Sequence, residues 1–75
     1  MPHVPVKVRS GTPEDKKKQL AEAIVKDVVN IVGCSEDSVS VAIEEIDPKE
    51  WKEKVYDPLI RRKMDTLYKK PGYSM

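Results

Sequence analysis

Apolar residues recur at two different spacings along this chain, and the change of spacing marks out its elements. Val4, Val6 and Val8 alternate with Pro5, Lys7 and Arg9, the period of a half-buried strand. Proline has no donor, so Pro5 predicts an unpaired edge or a late start to pairing. Ser10-Gly11 turns the chain. Thr12 then reads as a helix N-cap, with Pro13 at the first helical position and Glu14 and Asp15 at the positive end. Leu20, Ala21, Ile24, Val25, Val28, Ile31 and Val32 follow at helical spacing, and Gly33 is placed to end the helix in a left-handed conformation. The period returns to two over residues 38–46, with Val39, Val41 and Ile43 on one face and Ser40, Ala42 and Glu44 on the other.

Two strands separated by a helix of about twenty residues predict a parallel β-α-β crossover. A helical tail follows. Asp47-Pro48 with Glu50 resembles a capping box, and Asp57-Pro58 reads as a second helix start. Tyr56, Leu59, Ile60, Met64, Leu67 and Tyr68 form a stripe for docking, and Pro71-Gly72 is the expected stop. The chain is therefore expected to be one α/β domain, with residues 2–46 as core and 47–75 as tail.

Seventy-five residues are few for a self-sufficient core; a domain of this size buries only about 60% of its unfolded surface. Cys34 is the only cysteine and His3 the only histidine, so neither a disulfide nor a metal-ligand set is available to compensate. Cys34 reads as a small filler rather than a reactive thiol. Two strands alone do not make a stable sheet, and both faces look partly apolar. A homo-oligomer of identical subunits is the expected solution. Charged residues make up 36% of the chain but balance at +1, which argues against a dedicated nucleic-acid or membrane binder. The unpaired cysteine, and the absence of a signal peptide or long apolar run, point to the cytoplasm.

Chemistry enters at position 2. Proline is small enough for the initiator methionine ahead of it to be trimmed, and loss of Met1 leaves Pro2 with a free secondary amine. An ordinary α-amine has a pKa of about 7.7–8.0, and an exposed proline amine is more basic. Burial in an apolar pocket disfavours the ammonium and brings the pKa toward neutrality, where a general base works best. With Met1 attached, the same nitrogen is an amide and has no such chemistry.

A proline exposed behind Met1, a first strand, a helix beginning near Thr12-Pro13 and a second strand to Ile46 together resemble the 4-oxalocrotonate tautomerase family. The resemblance spans the whole chain. Met1-Pro2-His3 and the Lys69–Met75 ending are its most specific matches, and the latter is similar to a longer bacterial branch of the family. The resemblance implies a β-α-β subunit whose sheet is completed in a dimer, or in a hexamer built as a trimer of dimers. It implies keto–enol tautomerisation of a 2-keto acid without a cofactor, with Pro2 shuttling the proton. It also places Trp51 as an aromatic wall near that proline. At the two positions where the family carries substrate-gripping arginines, this chain has Thr12 and Ser40. Neither forms a bidentate cationic clamp, which favours an apolar or aromatic monoacid over a dicarboxylate. Ser40 can donate one hydrogen bond to the substrate. Arg61 is carried forward as a substrate-binding cation, with Arg62, Lys7 and Arg9 as other sources of charge. His3 reads as a surface or interface residue, Tyr68 and Tyr73 as tail packing, and Tyr56 as a possible pocket residue. Hydratase-like chemistry would need Glu44 or Glu45 beside Pro2. The reading from a different class is a non-catalytic oligomeric scaffold with the same fold.

Overall fold

The computed structural model describes residues 1–75. Strand β1 (His3–Arg9) is followed by helix α1 (Glu14–Val32), a short 3-10 turn (Glu36–Ser38) and strand β2 (Ser40–Ile46). The two strands pair in parallel, with His3 opposite Ser40 and Arg9 opposite Ile46. The expected β-α-β unit is present, and its two-stranded sheet is open on both sides.

The register explains how the faces divide. Val4, Val6 and Val8 stand opposite Val41, Ile43 and Glu45, and the four valines and Ile43 are half-buried. Helix α1 covers this face: Lys17 reaches Glu45 at 3.5 Å, while Ala21, Ile24, Val25 and Val28 are half-buried. The other face carries His3, Pro5, Lys7 and Arg9 beside Ser40, Ala42, Glu44 and Ile46. The ladder is closed at its ends by Ser40 N–H to the Pro2 carbonyl (3.1 Å) and Ser10 N–H to the Ile46 carbonyl (3.0 Å). In a parallel ladder of this phase, the even-numbered residues of β1 turn their amides toward β2. Pro5 therefore turns its missing donor to the open edge, where a proline is tolerated.

Several local expectations shift. Helix α1 begins at Glu14, with Pro13 in extended conformation as its cap residue. Thr12 does not cap the helix; its hydroxyl donates back to the Arg9 carbonyl at 3.0 Å. The C-terminal end is as expected, with Gly33 at φ 83° donating its amide to Val29. Strand β2 starts at Ser40 rather than residue 38, because the Ser38 hydroxyl and amide both bond back to the Ser35 carbonyl and close a turn there.

The tail departs further. Asp47 caps a 3-10 turn (Pro48–Glu50) by accepting from the Lys49 amide at 2.9 Å. Glu50 is not a capping-box partner but pairs with Lys54 at 2.8 Å. Asp57-Pro58 does not start a helix. Pro58 lies inside a nine-residue π-helical segment, Lys52–Ile60. Proline lacks the amide donor and its ring crowds the preceding turn, and the wider π turn accommodates both defects. A 3-10 segment (Arg61–Thr66) follows, kinked at Lys63. Helical structure thus ends at Thr66, before Pro71, and Tyr68 is fully exposed in the isolated chain.

Only Ile46, Val55 and Tyr56 are buried in the isolated chain. Its radius of gyration is 13.9 Å, against about 11 Å for a compact domain of this length. Ile31 and Val32, assigned to the apolar stripe of α1, are 83% and 66% exposed. A single copy does not provide enough surface to cover its own apolar side chains.

Candidate active site

Pro2 precedes the first strand residue and is held there by main-chain pairing. Its carbonyl accepts the Ser40 amide, so the head of β1 is tied to the head of β2. Pro2 is half-buried while Met1 ahead of it is fully exposed. Only the main chain of Ser40 meets Pro2; its side chain shares the sheet face of His3, the residue it pairs with, on the side opposite to Pro2. The Ser40 hydroxyl lies 2.7 Å from Nδ1 of His3. A hydroxyl has one proton to give. If Nδ1 carries hydrogen, it donates to Ser40 and leaves the serine proton for another acceptor; in the other tautomer Ser40 spends its proton on His3. The role of Ser40 therefore depends on His3, a partner that sequence spacing does not reveal.

Trp51 stands elsewhere. It lines an apolar hollow of about 360 Å³ together with Arg9, Pro48, Tyr73 and Met75. Arg9 is the last residue of β1, seven steps from Pro2, which at the usual strand rise is about 23 Å. Within one chain, Pro2 and the tryptophan wall sit at opposite ends of the sheet. The hollow is held together by an aromatic cluster. Trp51 Nε1 donates to the Tyr73 hydroxyl at 3.1 Å, and the Tyr73 ring packs on Tyr56 with centroids 5.8 Å apart. Tyr56 is buried beneath and does not line the hollow.

The cations separate by their partners. Lys7 donates to Glu44 across the outer face, and the hydrogen bond and charge of Lys7 hold the Glu44 carboxyl below the usual carboxylate range. Arg61 is engaged by Asp57 at 3.1 Å, and Lys52 binds the other oxygen of the same carboxylate. The hydrogen bonds from Lys52 and Arg61 lower the Asp57 pKa. Arg62 lies on a separate polar surface with Lys49, Lys52, Glu53 and Asp57. Arg9 forms no ion pair within the chain. Glu45 is taken by Lys17 on the helix side, and Cys34 is half-buried with its thiol near the Val28 carbonyl. Tyr73, Pro48 and Met75 join the hollow without a sequence signal that separates them from ordinary tail residues.

The profile of the "Tautomerase enzyme" family matches residues 2–53. Tautomerase PptA of Pectobacterium carotovorum subsp. carotovorum (strain PC1) is 48% identical over 75 residues, covering 99% of each chain. A probable tautomerase of Xylella fastidiosa (strain 9a5c) is 34% identical over 97% of this chain and 89% of its own length. Among solved structures, TomN, a 4-oxalocrotonate tautomerase homologue in the tomaymycin biosynthetic pathway, superposes with a TM-score of 0.65 at 26% identity, over 67% of this chain and 77% of its own. YwhB, another homologue of 4-oxalocrotonate tautomerase, gives 0.60 at 35% identity, over 61% and 75%. The chain belongs to the tautomerase family. It is an isomerase of small molecules, built on the β-α-β subunit that this family shares.

Proposed function

We propose that this tautomerase interconverts the enol and keto forms of a 2-keto acid with an apolar or aromatic tail, using the secondary amine of Pro2 after Met1 is removed. The neutral amine takes the enol O–H proton as the C2 oxygen becomes a carbonyl. The resulting ammonium returns that proton to C3, so one group serves as base and then as acid. The observation that carries this reading is the anchoring of Pro2 at the head of a parallel strand pair in a chain of this family. Full exposure of Met1 suits its enzymatic removal.

One chain does not hold a complete site, because Pro2 lies far from the apolar hollow. Two copies joined through the open β1 edges about a two-fold axis run antiparallel. That places Pro2 of one subunit at the Arg9 end of the other, beside its Trp51. The antiparallel ladder forgoes one bond at the Pro5 of each subunit. The aromatic wall excludes water from the amine and keeps it neutral. Ser40 donates to the substrate when the His3 tautomer leaves its proton free. Arg61 contributes charge from the tail only where it can leave Asp57.

The test is ketonisation of phenylenolpyruvate by the processed protein and its Pro2→Ala variant, with the spontaneous rate subtracted. A fall of about 100-fold or more is expected on loss of a general base. Equal rates in the two proteins would remove Pro2 from the reaction.

A further inference from the structure

We infer that Arg9 is the residue that seats the substrate carboxylate, and that the Arg9–Trp51 hollow selects a monoanion with an apolar tail. The inference rests on the tautomerase reading above and names the anion-binding group that this reading lacks.

Thr12 and Ser40 cannot form a cationic clamp. Among the other cations raised by the sequence, Lys7 is bound by Glu44 and Arg61 by Asp57, while Arg62, also without an ion pair, lies on the separate polar surface and has no apolar wall beside it. A cation already paired must break that pair before it binds a substrate. Arg9 has no such partner, and it is the one charged side chain lining the hollow, where the remaining walls are Pro48, Trp51, Tyr73 and Met75. An arginine beside an apolar wall, without a carboxylate of its own, is chemically complementary to an amphipathic anion. The planar guanidinium forks onto a carboxylate through two N–H bonds, and it is weakly hydrated enough to act beside an aromatic surface.

The chemistry of a 2-keto acid makes this position useful beyond binding. The carboxylate and the C2 oxygen are on adjacent carbons. A guanidinium gripping the carboxylate has further N–H groups within reach of that oxygen, where negative charge grows as the enol loses its proton. The tail is left to lie on Trp51, Tyr73 and Met75. A second carboxylate on the tail would be desolvated against these side chains without a partner, so dicarboxylates are rejected. The volume of about 360 Å³ falls at the small end of ligand sites, as suits one aromatic acid.

Trp51 is the only tryptophan in the chain and reports on the hollow directly. Its fluorescence is titrated with 3-phenylpropionate and with the neutral 3-phenylpropionamide, in the wild type, Arg9→Gln and Arg9→Lys. The wild type is expected to prefer the acid. Arg9→Gln is expected to lose roughly 10-fold or more in affinity for the acid, with the amide unchanged, and Arg9→Lys to retain part of the preference. With phenylenolpyruvate, Arg9→Gln raises KM and lowers kcat. Unchanged acid affinity in a folded Arg9→Gln protein overturns the assignment, as does a wild type that does not distinguish acid from amide. The two proposals fail separately. If Pro2→Ala retains full activity while Arg9→Gln loses the acid, the proline mechanism falls and the anion site stands. If Pro2→Ala is inactive and Arg9→Gln is unaltered, Arg9 alone falls.

Discussion

Trp51 and Tyr73 are joined by an indole-to-hydroxyl hydrogen bond of 3.1 Å, which folds the end of the chain back over the hollow. Tyr73 in turn rests on the buried Tyr56. The wall thus depends on a residue that the tail delivers, and two substitutions divide its contributions. Tyr73→Phe keeps the ring packing and loses only the bond, at a cost of no more than about 1 kcal/mol. Tyr73→Ala removes both and opens the hollow, so the Trp51 emission moves to the red and KM for an aromatic enol rises. Emission spectra and steady-state kinetics of the two variants check this; a Tyr73→Ala protein with unshifted emission would dissociate Tyr73 from the wall.

Residues fused ahead of Met1 turn the nitrogen of Pro2 into a permanent amide. A protein with such an extension is expected to fold and assemble as the processed form does, yet ketonise at the background rate. Circular dichroism, light scattering and the enol assay, run side by side, test the point. Full activity with the extension in place would show that the amine is not needed.

The Lys7–Glu44 pair on the outer face sets a pH dependence of known sign. Lys7 holds the Glu44 carboxyl below its ordinary value of 4.5. The stabilisation it adds is complete above the unfolded-state pKa and is lost as pH falls through the lower folded-state pKa. Both groups are solvent-accessible, so the effect on stability is small. A Lys7→Gln protein is expected to return the Glu44 midpoint toward 4.5 in a carboxyl NMR titration. An unmoved midpoint would place the cause of the shift elsewhere.

The β-α-β unit was legible because each of its signals is local. Valine alternation, helical spacing and a glycine after Val32 each depend on residues within a few positions of one another, and the structure follows them to within two residues. The tail was not legible in the same way. Asp57-Pro58 carries a correct helix-start signal, but Lys52 and Arg61 hold Asp57 from both sides and the chain widens around Pro58 instead of restarting. The hollow depends on contacts across 22 residues between Trp51 and Tyr73, and no periodicity links them. Pro2 and Ser40 come together because strand register follows from the apolar pattern. The distance between Pro2 and Trp51 became apparent only once β1 was laid out at full length. Arg9 and Lys7 are both cations of the outer face, but Arg9 lacks a carboxylate opposite, since Ile46 faces it where Glu44 faces Lys7.

That separation makes a composite site testable by mixing. A Pro2→Ala subunit retains Arg9, and an Arg9→Gln subunit retains Pro2. If each site draws its proline from one subunit and its hollow from the next, a hybrid pair regenerates one intact site and one doubly defective site. Unfolding equal amounts of the two impaired proteins together and refolding them makes half of the pairs hybrid. Roughly a quarter of the wild-type activity is then expected from the restored sites, above the lowered rate that each variant keeps when refolded alone. Sites contained within single chains would recover nothing on mixing, because no chain in the mixture carries both groups. The recovered fraction therefore measures directly whether the 23 Å or so between Pro2 and Arg9 in one chain is closed by its neighbour.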